Sequence, residues 1–173
     1  MRKPNRELIS QQEAMDAVKA VYAELENRPV ERDCLRRTEC CQFKLTGKTP
    51  YLTAGEALVT ATALQQSGVN KLPAKQDGSC PLLKAETGRC IAYEDRPFSC
   101  RTHFCAAAGG PYSRKVVQDL IWRLEDLDTR LGGVGAQTLP AALKEALPKV
   151  MIHKGDFLSR VHSKAAPRAR GRG

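Results

Sequence analysis

The feature that most constrains this chain is a set of seven cysteines, all of which fall between positions 34 and 105 of its 173 residues. A disulfide framework in a secreted chain normally uses an even number of cysteines, so seven would leave one thiol over. The basic N-terminus is not followed by the apolar stretch of a secretion signal. Clustered cysteines in a reducing compartment indicate metal or redox chemistry rather than disulfides. We therefore expect a cytoplasmic, metal-binding cysteine-cluster protein.

The cysteines form two groups along the chain. The first group is Cys34, Cys40 and Cys41, and the second is Cys80, Cys90, Cys100 and Cys105. Thiolates are soft ligands that select zinc, copper(I) or iron–sulfur clusters over magnesium or calcium. Four of them complete a tetrahedral zinc site or hold a cluster. We predict that all seven cysteines are metal ligands and that the cofactor is zinc or an iron–sulfur cluster.

The spacing of the cysteines limits which of them could share one metal. Cys40 and Cys41 are adjacent, so we expect their side chains to diverge: they serve different metals, or one binds metal while the other packs. Cys100 and Cys105 are five residues apart, about 140° of rotation on a helix, so a shared metal requires a turn between them. His103 lies between them and is a further candidate ligand, with a hydrogen-bonding role or simple surface exposure as alternatives. No zinc-finger or common ferredoxin spacing occurs, so the identity of the metal stays open.

The rest of the chain predicts a mainly α-helical fold. Apolar periodicity and capping residues predict helices over 7–26, 53–66, 113–131 and 139–147. The second of these starts at a capping box formed by Thr53 and Glu56, and Gly68 follows its end. Trp122 lies in the third helix beside the apolar stripe, where we expect it in the core or in a helix–helix contact.

A large irregular segment interrupts these helices. Residues 68–112 are rich in prolines and glycines and show no sustained periodicity. So long a stretch without regular structure is unusual in a compact domain. Because it holds four of the seven cysteines, we expect a metal to organise it. We predict a single metal-binding domain over residues 1–150, with C-terminal helices over 113–147, and a basic, largely disordered tail over 151–173.

Residues 80–105 resemble the signature of the YkgJ-type cysteine-cluster family, a family of zinc- or iron-chelating domains. The segment begins Cys-Pro-Leu-Leu, continues with Gly-Arg-Cys-Ile-Ala-Tyr, and ends Arg-Pro-Phe-Ser-Cys-Arg-Thr-His-Phe-Cys. The family also has a closely spaced cysteine run that ends in a Cys-Cys pair, here Cys34 and Cys40-Cys41, with Arg37 near a point where the family often has another cysteine. The resemblance thus covers residues 34–105. It implies a ligand role for Cys80, Cys90, Cys100 and Cys105, and a framework or site role for Tyr93, Arg96, Pro97 and Arg101.

Two arginines of this signature have alternative explanations. Arg96 and Arg101 flank cysteines, and cations beside thiolates lower their pKa and offset their charge. Alternatively, Arg96 pairs with Glu94 or Asp95 at the surface.

Three functions are compatible with these features. The first is a metal-cluster protein with a role in redox chemistry, sensing or metal handling. The second is a zinc-stabilised module that binds nucleic acid, the ribosome or an acidic protein through its basic tail, since the chain has a net charge of +9 and positive surfaces favour phosphates. The third is a protein-modifying enzyme with a metal site. No dinucleotide fingerprint or P-loop is present, and whether the chain is an enzyme stays open.

The sequence contains no apolar run of about 18 residues, so we expect no membrane-spanning helix.

Overall fold

The computed structural model is mainly α-helical, as predicted. It describes residues 7–29, 32, 35, 38–84 and 86–150. Cys34 and the predicted tail over residues 151–173 lie outside the described residues. In chain order, the elements are α1 (Gln11–Glu26), α2 (Phe43–Thr46), β1 (Tyr51–Leu52), α3 (Ala54–Gln66), α4 (Phe98–Thr102), α5 (Arg114–Arg130), β2 (Gln137–Thr138) and α6 (Leu139–Ala146), with 3-10 turns at Glu39–Cys41, Ala106–Ala108 and Leu147–Lys149. Within the described ranges, no helix is both long and apolar enough to cross a membrane.

Helix α1 begins at Gln11 rather than at residue 7, because Ser10 takes the N-cap position. The Ser10 hydroxyl accepts a hydrogen bond from the Glu13 backbone N–H at 3.2 Å. In return, the Glu13 carboxylate accepts from the Ser10 backbone N–H at 2.8 Å. This reciprocal capping box satisfies N–H groups that have no partner inside the helix.

Helix α3 lies at the centre of the fold, and its bounds match the prediction. The predicted capping box between Thr53 and Glu56 is present. Gly68 follows the helix with a φ of 80°, a left-handed conformation that favours glycine. A Cβ atom at Gly55 would lie 3.0 Å from the Val18 side chain, so the missing side chain lets α1 approach closely. Helices α1, α5 and α6 all pack against α3.

Two groups of buried side chains form the core. The first lies between α1, α3 and α5 and contains Val18, Val21, Tyr22, Leu25, Val59, Phe98, Val117, Leu120, Leu124 and Leu127. The second lies between α3, α6 and the cysteine-rich loops and includes Leu52, Leu58, Leu64, Cys80, Leu82, Leu139 and Leu143. Since Cys80 and Leu82 belong to the second group, the core itself holds part of the cysteine-rich segment in place.

Helix α5 carries the predicted apolar stripe on its inner face, where Leu120 and Leu124 are buried. Trp122 is 63% exposed, so the expectation that it packs in the core is wrong. It lies two positions from both leucines, which is about 200° around the helix from each. The tryptophan therefore faces solvent.

A pair of two-residue antiparallel strands was not predicted from the sequence. Tyr51 pairs with Thr138, and Leu52 pairs with Gln137. Strands this short produce no detectable alternation of apolar and polar residues. The pairing matters for the architecture, because β1 leads into α3 and β2 leads into α6.

A buried carboxylate fastens the start of α3 to the end of α5. Asp128 is only 3% exposed. Its two oxygens accept hydrogen bonds from the backbone N–H groups of Ala54 at 2.7 Å and Gly135 at 2.9 Å. Gly133 lies against the same carboxylate, and a Cβ atom there would be 2.4 Å from its oxygens. Asp128 is therefore a structural clamp.

We expect Asp128→Ala to destabilise the fold by about 2–4 kcal/mol, since it leaves two backbone donors without their acceptor. Urea unfolding of the variant and the parent chain measures this difference. The control is Glu125→Ala, an exposed carboxylate on the same helix, which should stay within about 0.5 kcal/mol of the parent. Equal stabilities of the two variants would contradict the clamp.

Candidate metal centre

Five of the six described cysteines line one cavity, and His103 lines it with them. The cavity has a volume of about 540 Å³. Its cysteines are Cys40, Cys41, Cys80, Cys90 and Cys100. All six described cysteines are free thiols. Side chains up to 60 positions apart in the sequence therefore meet at one place.

The first segment of the cavity is the 3-10 turn Glu39–Cys41. Thr38 precedes it in a left-handed conformation with a φ of 62°. The backbone N–H of Cys80 donates to the carbonyl of Cys41 at 2.7 Å, which joins the two cysteine groups directly. The sulfurs of Cys40 and Cys41 are 4.0 Å apart, so the expectation that these side chains diverge is wrong. Two thiolates on one tetrahedral zinc ion are about 3.8 Å apart, so the observed separation is compatible with a shared metal.

The second segment is a short hairpin over residues 80–91, which we call the cysteine hairpin. Leu83 and Cys90 face each other as an antiparallel bridge. The N–H of Ile91 donates to the carbonyl of Leu82 at 2.8 Å. This pairing brings Cys90 back beside the start of the hairpin, where Cys80 lies.

The third segment is helix α4, which carries Cys100. The chain leaves the helix in an extended conformation at His103, so Cys100 and Cys105 do not lie on one continuous helix. Cys105 is not part of the cavity wall; its carbonyl accepts the N–H groups of Ala108 at 2.9 Å and Gly110 at 3.0 Å. The ligand role of Cys105 therefore stays a prediction.

Burial and the proximity of other thiols raise the pKa of four cavity cysteines. Burial raises the pKa of Cys100 and of Cys90, and neighbouring thiols add to the effect at both. The hydrogen bond with Cys41 raises the pKa of Cys40, and burial adds to it. For Cys41 this hydrogen bond lowers the pKa, but contact with Cys80 and burial outweigh it and raise the pKa to about 12. A bound cation would favour the ionised form of such crowded thiols.

Arg96 is the arginine of the family signature that faces the thiols. Its guanidinium lies 4.2 Å from the ring centroid of Tyr93 and donates to the Tyr93 carbonyl at 2.8 Å. The positive charge acts on Cys90 and lowers its pKa, against the larger effect of burial. Arg96 therefore offsets thiolate charge while it stacks on a cavity-lining tyrosine.

Arg101 has a different role, because it points into the protein. It is 6% exposed, forms an ion pair with Glu26 of α1, and lies 4.2 Å from the ring centroid of Tyr22. It also donates to the carbonyl groups of Arg96, at 2.8 Å, and Glu94. Arg101 thus binds α4 to α1, which is the framework role that the family resemblance implied.

Sequence reasoning missed the apolar part of the cavity wall. The residues concerned are Phe43, Pro50, Tyr51, Leu82, Leu83, Phe104 and Leu139. They come from several separate elements, and no local pattern in the sequence brings them together. An apolar wall lowers the local dielectric constant and so strengthens electrostatic interactions beside it.

The chemistry of these donors fits a soft metal. Five thiols and one imidazole exceed the four donors that a tetrahedral ion takes. Among the residues that the structure describes, no three side chains already have the spacing of a formed metal centre.

Comparison with known proteins gave one informative result. A family model with the motif name CxxCxxCC, described as a "Putative zinc- or iron-chelating domain", matches residues 32–121. The match covers just over half of the chain. The motif would place cysteines at positions 34, 37, 40 and 41, and here position 37 is Arg37. No curated protein and no solved structure matches the chain.

Proposed function

Because the chain belongs to the CxxCxxCC family of zinc- or iron-chelating domains, we propose that its cavity cysteines hold a thiolate-bound metal centre. The resemblance to the YkgJ-type cysteine-cluster family is confirmed by the same match. In the proposal, the ligands come from Cys40, Cys41, Cys80, Cys90 and Cys100, with His103 as a further donor.

The observation that carries the proposal is the convergence of thiols from three separate segments. Structural cysteines that only fill a core would be scattered among its apolar residues. Among the described cysteines, only Cys80 is fully buried in the core; Cys41 and Cys90 are partly buried against it, and Cys40 is exposed. Crowded thiols that reach one cavity are unfavourable neighbours once ionised, and a cation relieves their repulsion.

Two occupants have the required preference for thiolates, namely zinc and an iron–sulfur cluster. Four thiolates around a zinc ion leave a net charge of about −2, which the Arg96 guanidinium beside Cys90 partly offsets. A cluster spreads its charge over several atoms and uses the same four thiolates. A zinc centre would be structural, whereas a cluster would serve redox chemistry or sensing. Metal handling is compatible with either.

The first experiment is anaerobic purification followed by elemental analysis and a visible absorption spectrum. A brown protein with iron and sulfide in near-equal amounts would identify a cluster. A colourless protein with one or more equivalents of zinc would identify a zinc centre. If fresh anaerobic protein contains no metal and binds neither zinc nor iron when these are added, the proposal is wrong.

Cys34 and Cys105 complete the proposed ligand set as further candidates. Cys34 lies outside the described residues, and Cys105 lies outside the cavity wall. The family match begins at residue 32 and so includes both cysteines. A cytoplasmic location, where thiols remain reduced, is part of the same proposal.

A further inference from the structure

Glu56 is a buried carboxylate close to the proposed metal centre. It is the third residue of α3 and is 3% exposed. One carboxylate oxygen, Oε2, accepts hydrogen bonds from the backbone N–H and the hydroxyl of Thr53, both at 2.9 Å. These bonds belong to the capping box of its own helix and account for half of its acceptor capacity.

The second oxygen of Glu56 bonds to other elements. Oε1 accepts from the backbone N–H of Phe98 at 2.8 Å and from the Tyr22 hydroxyl at 3.3 Å. Phe98 is the first residue of α4, whose own N-cap residue, Pro97, makes no side-chain capping bond. The first N–H groups of a helix need acceptors from outside it. Glu56 therefore caps two helices at once.

The capped helix carries a candidate ligand. Cys100 lies two residues after Phe98 in α4, which has only five residues. So short a helix has little stability of its own, and its orientation depends on contacts with the rest of the protein. Arg101 also ties α4 to α1, through its ion pair with Glu26. Helix α4 is thus held by one buried carboxylate and one buried guanidinium.

We propose that Glu56 is a positioning residue of the metal centre, which fixes the start of α4 and thereby the place of the Cys100 thiol in the cavity. This inference rests on the proposed function, since it concerns the same site. Glu56 does not touch the metal; it acts through the Phe98 amide. Outer residues of this kind typically change metal affinity by about 10–100-fold when they are altered.

Asp128 provides a matched control for this proposal. It too is 3% exposed, and it binds the N-terminal turn of the same helix α3 through the Ala54 N–H. Its second bond goes to Gly135, which is far in sequence from the cavity cysteines. Asp128→Asn should therefore lower stability without moving α4.

Glu56→Asp keeps the charge but shortens the side chain by one methylene, so that it cannot reach both Thr53 and Phe98.

The test measures the affinity of reduced, full-length protein for zinc ions by competition with a chromophoric chelator. We expect Glu56→Asp to weaken zinc binding by about 10–100-fold, and Asp128→Asn to change it by less than about threefold. Because the charge is kept in Glu56→Asp, such a loss cannot be attributed to lost electrostatic attraction. Equal affinities of the two variants would overturn the inference and leave the proposed function intact. A parent protein that binds no zinc and no iron would instead overturn the proposed function.

A second readout does not depend on the metal. In metal-free protein, hydrogen exchange of the amides of Phe98–Thr102 should be faster in Glu56→Asp than in Asp128→Asn, because only the first variant loses the acceptor for the Phe98 amide. If Glu56→Asp does not fold, Glu56→Gln takes its place, since glutamine can keep the capping box with Thr53 but then presents its amide NH2 group, which cannot accept a hydrogen bond, to the Phe98 N–H. We then expect an increase in α4 exchange of about two- to tenfold. Unchanged exchange in a folded variant would overturn the inference.

Discussion

Replacing Cys80 by serine is expected to weaken metal binding by more than about 100-fold. A hydroxyl is a poor ligand for soft metals, and losing a direct ligand exceeds the roughly 10–100-fold effect of altering an outer residue. Cys80 is the best site for this test because it is 5% exposed and its backbone N–H bonds to Cys41. Serine keeps that backbone bond and nearly the same volume. Elemental analysis and chelator competition under anaerobic conditions measure the effect.

Cys105→Ser is the matched comparison, since this thiol is a candidate ligand by the family resemblance but lies outside the cavity wall. If only cavity cysteines bind the metal, the variant should retain affinity within about tenfold of the parent. A loss as large as that of Cys80→Ser would show that Cys105 joins the centre when metal binds. Unchanged affinity in Cys80→Ser, with the fold verified by circular dichroism, would remove Cys80 from the ligand set.

Removal of the metal is expected to lower the melting temperature by about 8–16 °C. At a metal concentration about a thousand times the dissociation constant, binding stabilises the folded state by about 4 kcal/mol. For a chain of this size, each kcal/mol corresponds to about 2–4 °C. Thermal unfolding with free metal at that concentration, and again after chelation and desalting, measures the shift. Identical melting temperatures in a protein shown to bind metal would contradict a stabilising role for the centre.

Limited proteolysis locates the effect within the chain. Lys84 and Arg89 are exposed tryptic sites in the cysteine hairpin, whereas Lys115 lies in helix α5. We expect chelation to accelerate cleavage at the two hairpin sites and to leave cleavage at Lys115 nearly unchanged, because the helices pack around their own core. Equal acceleration at all three sites would mean that the whole fold, rather than the cysteine-rich segment, depends on the metal.

The sequence predicted the helices better than it predicted the site. The bounds of α3 follow from local signals, namely the Thr53–Glu56 capping box and the glycine after the helix end. The convergence of the cavity thiols depends on long-range contacts, such as the bond from Cys80 to the carbonyl of Cys41. Such contacts produce no periodic pattern in the sequence. The prediction of which cysteines bind metal together therefore depended mostly on the family resemblance.

Two expectations about side-chain positions were wrong, for opposite reasons. The exposed position of Trp122 could be predicted from helical geometry, since it lies two positions from each of the buried leucines, yet the expectation of core packing rested on its closeness to the apolar stripe. The proximity of the Cys40 and Cys41 sulfurs was not readable, because the 3-10 turn that brings them to 4.0 Å leaves no pattern in the sequence. The cap that Glu56 provides for α4 could not be predicted either, since Phe98 lies 42 positions further along the chain.

The dispersal of the cavity cysteines over three segments also matters during synthesis of the chain. Cys40 leaves the ribosome 60 residues before Cys100, and Cys41 follows Cys40 directly. At about 5–20 residues per second, this is an interval of several seconds. During that time the nascent chain presents an adjacent pair of cysteines without the α4 segment that completes the cavity. Newly made protein therefore depends on a reducing environment until the later segments have emerged.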